Sequence, residues 1–346
     1  MNTKLRLKGG GANSARLIIA GFFVVLLAIT YVMDLAFATT VSDILIRWCM
    51  NFVLVLAMVP SILSGCGPNF ASPVGICCGL LGAVLSINAG FTGVTSLVMA
   101  LVFALPIAAV VGLIYGRLMN MIKGSEMMIA TYVGFAFVSL MSIVWTFFPV
   151  TNDAVRLPMG GGVRTSVDLA SSFGHLLDNF LSVKIGGFTI PVGFMLFCLL
   201  FCVGMKLFLN SRAGISMCTA GENPRFAESI GINVDKYRLL GSTISVVLSA
   251  FGIIFYSQSY GMMQFYQAPL MMGFLAVASI LIGGATTRKA SISHAILGAL
   301  LFNGILTTSM PVANAIAPNS NLAEVVRMII SNGIIVFALT KIRQEA

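Results

Sequence analysis

Two histidines, seven cysteines and eleven carboxylates are all that this chain of 346 residues offers for proton, metal or nucleophile chemistry. His175 and His294 are isolated, with no H-E-x-x-H helix or G-x-S-x-G elbow beside them. Cys49, Cys66, Cys77, Cys78, Cys198, Cys202 and Cys218 form no C-x-x-C pair and have no histidine at metal-ligand spacing. They read as small buried packing residues. No G-x-x-x-x-G-K-[ST] loop is present to cradle ATP. Metal, hydrolytic and nucleotide chemistry therefore lack their residues.

One polar stretch does carry a pattern. In Glu222, Asn223, Pro224, Arg225, Phe226, Ala227, Glu228 and Gly231, the Asn is a good helix N-cap and the Pro suits the first helical position. Gly231 suits the left-handed residue after the helix. The spacing predicts a helix of about two turns, too short to persist unless docked. Phe226 and Ile230 share one face, four residues apart. This reads either as a docking element for another protein or as a surface helix lying on lipid headgroups.

Other polar residues fall inside or beside apolar runs: Asn51, Asn69, Ser72, Asn88, Thr131 and Asn303. Such groups either line a solute path or hydrogen-bond a neighbouring helix. Glu126 has Lys123 one turn away as its expected partner. Gly75 with Gly79, and Gly112 with Gly116, are small-xxx-small pairs that permit close helix approach. Met262, Met263, Phe265 and Tyr266 form an apolar cluster at a span end, either an interfacial belt or a contact for an external partner.

The elements holding these residues follow from composition. Hydrophobic residues make up 58% of the chain and charged ones only 9%, with mean hydropathy +1.00, so no water-exposed surface of ordinary polarity can be built. Soluble enzymes and nucleic-acid binders are excluded despite the net charge of +9. The apolar runs are continuous rather than alternating, which points to an all-α polytopic membrane protein and away from a β-barrel. Ten spans are expected: 17–37, 49–64, 71–87, 92–115, 127–148, 190–209, 239–257, 270–282, 291–308 and 325–340. The basic start, Met1 to Arg16, leads into an anchor rather than a cleaved signal.

With the N-terminus inside and ten crossings, only Arg47, Arg156, Arg164, Lys184 and Arg327 of the 20 basic residues fall outside. Both termini are therefore expected in the cytoplasm. The chain reads as one permease domain, 1–346, with five spans over 17–148, an external loop 149–187 and five spans over 190–340. The external loop is expected to hold a short helix around 166–180. The loop 210–237 is placed on the cytoplasmic side. A Gly-rich third span and a Gly-rich eighth, five crossings apart, suggest an inverted repeat of spans 2–5 and 7–10.

The run Ala220-Gly221-Glu222-Asn223-Pro224-Arg225-Phe226-Ala227-Glu228-Ser229-Ile230-Gly231-Ile232-Asn233-Val234 resembles the G-x-N-x-x-x-A-x-x-x-G-I-N-V signature of permease subunits in ATP-binding-cassette importers. The subgroup handles ribose and other monosaccharides, nucleosides and branched-chain amino acids. In it this segment is the coupling helix, which sits in a cleft of the cytoplasmic ATPase. Phe226 departs from the small residue common there. The stretch from Ser64 to Gly75 resembles the family's Gly-rich break between spans 2 and 3, with Asn69 near its polar position but without its acidic residue. Glu126-Met127-Met128-Ile129-Ala130-Thr131 resembles the E-V-I-x-T opening of nucleoside permeases, with the Thr one residue late.

The resemblance implies a non-catalytic subunit of the bacterial plasma (inner) membrane, importing a small polar solute, a nucleoside or monosaccharide. It implies three protein partners: a cytoplasmic ATPase, an extracytoplasmic solute-binding protein, and a second permease copy or related chain. ATP and Mg would be used by the ATPase, with no cofactor bound by this chain. An ion-coupled secondary transporter is the alternative, and it calls for a mid-span carboxylate.

Overall fold

In the computed structural model the backbone is described for residues 10–33, 35–153, 155–156 and 162–316, with six further positions between 325 and 336. Helices α1 (Gly10–Val32), α2 (Phe37–Leu56), α3 (Met58–Leu63), α4 (Ser72–Asn88), α5 (Gly93–Met121) and α6 (Glu126–Phe147) form the first half. Strand β1 (Ser166–Asp168), helix α7 (Leu176–Asn179) and strands β2 (Ser182–Ile185) and β3 (Phe188–Pro191) follow. The second half holds α8 (Val192–Asn210), α9 (Arg212–Glu222), α10 (Pro224–Ser229), α11 (Val234–Tyr260), β4 (Met262–Gln264), α12 (Gln267–Ile282) and α13 (Ile292–Ile316).

Six helices among the described residues are long and apolar enough to cross a membrane: Phe37–Leu63, Gly93–Met121, Glu126–Phe147, Val192–Asn210, Val234–Tyr260 and Ile292–Ala315. The expected first, third and eighth spans fall on shorter apolar helices, Arg16–Val32, Ser72–Asn88 and Gln267–Ile282. The tenth, 325–340, lies mostly outside the described residues.

The second span begins at Phe37 rather than Cys49, which moves Asp43 and Arg47 from an expected loop into a helix. Ala36 turns the chain sharply at φ 45°. The polar run Thr39–Asp43 then stays helical because its hydroxyls bond carbonyls of the preceding turn: Thr39 to Ala36 at 2.8 Å and Ser42 to Ala38 at 2.9 Å.

Close approach through glycine sets the packing. A Cβ on Gly75 would lie 2.4 Å from the Val246 carbonyl, and one on Gly79 2.2 Å from that of Ala250, so α4 presses its backbone on α11. Gly112 and Gly116 meet Thr243 and Leu239, bringing α5 onto α11 as well. α11 is thus the axis of the first core, with α2, α4 and α5 around it. A second core joins α1 to α12 and α13 through Ile19, Leu26, Ile282, Phe302 and Ile305. Outward faces of α5, α6 and α8 are apolar and exposed, as a lipid-facing surface requires.

At one end of the bundle a helix was expected around 166–180. Instead β1 pairs antiparallel with β4, Val167 opposite Met263, and only the short α7 is helical. The same pairing corrects the reading of the Met262–Tyr266 cluster. Met263 and Phe265 are buried against the chain's own loop and Trp145, whose ring centroid is 5.0 Å from Phe265. Alternating burial along β4 explains why Met262 alone of the two methionines is exposed.

Candidate functional site

The arm between α8 and α11 is built from caps. Ser211 Oγ accepts the Gly214 N–H at 3.2 Å and opens α9. Asn223 Oδ1 accepts the Phe226 N–H at 3.1 Å and opens α10, with Pro224 in its first turn. Gly231 at φ +81° ends the turn, and Asn233 Oδ1 accepts the Lys236 N–H at 3.0 Å to start α11. Each reversal uses a residue whose side chain or missing Cβ satisfies the local backbone.

Helix α10 has only six residues, too few to stand alone. Ala227, fully buried against Ala220 and Val234, holds it to α9 and α11. This leaves Phe226 and Ile230 more than half exposed, with Arg225 and Glu228 also in solvent. α9 in turn is seated on the membrane bundle. A Cβ on Gly221 would lie 2.1 Å from the Leu63 carbonyl and 2.7 Å from the Gly65 nitrogen. Glu222 lies 3.9 Å from Lys289 on the loop before α13. Burial, and next the Glu222 carboxylate, push the Cys218 thiol up, which lowers its thiolate fraction.

Beneath this arm lies an ionic cluster that sequence reasoning missed. Arg238 Nη2 donates to Glu126 Oε1 at 2.7 Å, Nη1 to the Gly65 carbonyl at 3.2 Å and Nε to Asn120 Oδ1 at 3.3 Å. Glu126 Oε2 accepts the Gly124 N–H at 2.9 Å. The partner of Glu126 is therefore Arg238, not Lys123, which pairs with Asp235 at 2.7 Å in solvent. A buried guanidinium with three acceptors outcompetes an exposed lysine one turn away. The one sequence signal was an arginine at the threshold of an apolar helix.

The six polar residues considered for a solute path fall into separate groups, with Asn51 beside Asn303 and Asn69 beside Ser72. Asn51 Nδ2 donates to Asn303 Oδ1 at 2.9 Å, joining α2 to α13. The two line a cavity of about 10 Å³ with Met272, Ser279 and Phe302, room for one water. Asn69 is buried elsewhere: Nδ2 donates to Ser245 Oγ at 2.9 Å, while Oδ1 accepts from Tyr115 Oη at 3.1 Å and the Ala71 N–H at 3.0 Å. Thr131 Oγ1 bonds the Met127 carbonyl of its own helix at 2.9 Å. Ser72 Oγ is buried and has no hydrogen-bond partner among the described residues. Asn88 pins the loop after α6, accepting from Thr151 Oγ1 at 2.9 Å.

Residues 41–339 match the family model described as branched-chain amino acid transport system / permease component. The chain belongs to that family. It is a multi-pass membrane protein of the ATP-binding-cassette permease type. It is 32% identical over 109 residues to a nucleoside ABC transporter permease protein of Lactococcus lactis subsp. cremoris (strain MG1363). That match spans about a third of each chain. A solved structure titled as an inward-facing conformation of a metal-chelate type ABC transporter aligns over 94% of this chain and 99% of its own, at 16% identity and a TM-score of 0.48.

Proposed function

We propose that this chain is the membrane subunit of an ATP-driven importer, moving a small polar solute, a nucleoside or monosaccharide, into a bacterial cell. The observation that carries the reading is α10: a capped six-residue helix, fixed from behind by Ala227, that presents Phe226 and Ile230 to solvent. Held from behind by its own chain, α10 leaves this aromatic face open to a partner surface, and a cytoplasmic ATPase is the partner proposed. Glu222, Asn223, Pro224, Arg225, Phe226, Ala227, Glu228 and Gly231 form that docking element.

In this reading the arm lies in the cytoplasm with both termini, ten spans cross the plasma (inner) membrane, and a binding protein delivers solute to the opposite face. Two permease chains enclose the path. Asn51, Asn69, Ser72, Thr131 and Asn303 are the residues proposed to shape it, and ATP with Mg belongs to the ATPase. Displacement of α10 would reach the bundle through Gly221 against Leu63 and Gly65, and from Gly65 through Arg238 to Glu126 at the start of α6.

Matching features support an inverted repeat of spans 2–5 and 7–10. Helices α4 and α12 are 17 and 16 residues long, each has Pro in its first turns at Pro73 and Pro269, and each is followed by a positive-φ glycine, Gly90 and Gly284. α5 packs on α11 as α13 packs on α2, the same pairing with the halves exchanged. The ion-coupled alternative gains nothing from the described spans. Asp43 lies in the second turn of α2, Glu126 opens α6 and Asp235 opens α11, all away from the middle.

The test is solute-stimulated ATP hydrolysis by the assembled complex in nanodiscs. Replacing Arg225 and Phe226 together by alanine is expected to abolish stimulation while the chain still inserts. Undiminished stimulation would reject the docking assignment.

A further inference from the structure

The β2–β3 hairpin has two unlike faces, and its β2 half is left exposed by the bundle. Gly186 and Gly187, at φ 56° and 88°, make a two-residue turn of the kind that suits a twisted hairpin. The register pairs Val183 with Ile190 and Ile185 with Phe188, while Ser182 faces Pro191 and Lys184 faces Thr189. Directly opposed residues share a face. One face is therefore Val183, Ile185, Phe188 and Ile190, wholly apolar, and the other carries Ser182, Lys184 and Thr189. Ile185 is 62% exposed, and Phe180 and Leu181, just ahead of β2, are each 56% exposed.

The bundle holds the hairpin on its β3 side, through the strand's outer edge and through Phe188 of the apolar face, which leaves Val183 and Ile185 of that face exposed. The Thr189 N–H donates to Ser42 Oγ at 2.8 Å, and the Phe188 ring meets Phe37 edge-on at 6.3 Å, which in turn meets Tyr31 at 5.4 Å. The outer edge, β2, pairs with no further strand among the described residues.

We propose that the apolar face of this hairpin rests on the bilayer at the boundary between headgroups and acyl chains, with Lys184 among the phosphates. The apolar surface is continuous with the lipid-facing helices. Tyr31 and Val32 at the end of α1, and Leu196 and Leu199 in the first turns of α8, are all half or more exposed. Depth follows from the open edge. Free N–H and C=O groups of β2 cannot enter hydrocarbon, where nothing satisfies them, and the apolar face gains by leaving water. The boundary meets both demands, and it is where aromatic rings such as Tyr31 gather and a lysine finds anionic phosphate. The inference rests on the chain spanning a membrane and holds whatever solute is carried.

The experiment places a single tryptophan in the full-length protein, reconstituted in vesicles of phosphatidylethanolamine and phosphatidylglycerol brominated on shallow or deep acyl carbons. Emission from Trp48 and Trp145 is measured in the parent protein and subtracted. For Ile185→Trp, shallow bromines are expected to quench about twofold more than deep ones, and acrylamide about twofold less than for Lys184→Trp on the opposite face. Val183→Trp, on the same apolar face, gives the same reading should Ile185→Trp fail to accumulate. The proposal is overturned if both faces are equally open to acrylamide and neither lipid quenches. Preferential quenching by deep bromines overturns it too. So does shielding that develops only when the soluble solute-binding protein is added.

Discussion

Replacing Arg238 by methionine removes a guanidinium whose side chain is 9% exposed and leaves Glu126, 16% exposed, facing an apolar neighbour. Three hydrogen bonds disappear, and the carboxylate keeps only the Gly124 N–H. Stranding one partner of such a buried pair costs about 3–5 kcal/mol, mostly the desolvation of the charge left behind. Glu126→Gln keeps an acceptor for Arg238 and costs less, about 1–3 kcal/mol. The double variant Arg238→Met with Glu126→Met leaves no orphaned charge and is expected to regain most of the loss. Lys123→Met, in a pair more than half exposed, is expected to cost under about 1 kcal/mol. Reversible unfolding in mixed micelles, titrated with dodecyl sulfate, measures all four. The reasoning fails if Arg238→Met and Lys123→Met cost the same, or if the double variant is worse than Arg238→Met alone.

Gly79→Ala sets a methyl against the Ala250 carbonyl and is expected to cost about 1–3 kcal/mol in the same titration, with lower accumulation in the membrane. Asn303→Leu removes the α2–α13 hydrogen bond and should cost about 0.6–1.7 kcal/mol, with Asn51→Leu adding little to it in a double-mutant cycle. Alkylation of Cys218, followed by mass spectrometry, should rise with pH and remain slow near neutrality, because burial and Glu222 raise the thiol and so lower its thiolate fraction. Glu222→Gln lifts the electrostatic part of that rise and should speed labelling at every pH below the thiol's ordinary range; an unchanged rate would show that burial acts alone.

Local chemistry was legible and distant pairing was not. Asn223, Pro224 and Gly231 cap α10 through groups within a few residues, so their types alone located the helix. Gly75 and Gly79 were readable as a contact, though nothing in the sequence said that α11 lies against them. Glu126 was matched with the lysine three residues away, when its partner is 112 residues distant. Hydropathy also hid the start of α2. The hydroxyls from Thr39 to Ser42 lower the mean of any window, yet each bonds a backbone carbonyl three to five residues upstream and needs no water. In the loop, the Gly186-Gly187 turn between alternating residues was a hairpin signal, whereas β1 pairs with a strand almost a hundred residues later and left no local one.

Polar side chains within these spans are largely spent on one another. Asn51 and Asn303 bind each other, Asn69 binds Ser245 and Tyr115, and Thr131 binds its own backbone. A solute that seeks an N–H of Asn51 must break a bond first, since both are taken, by the Arg47 carbonyl and by Asn303 Oδ1. Ser72 differs: its hydroxyl is buried with no hydrogen-bond partner among the described residues, and a Cβ on Gly273 would sit 2.7 Å from it. Ser72 opens α4 beside Pro73, and Gly273 lies one turn into α12 after Pro269, so the two matching helices of the proposed repeat touch at this point. In the proposed import reading, Ser72 lies where the two halves of the repeat would meet, which is where inverted-repeat transporters place their solute.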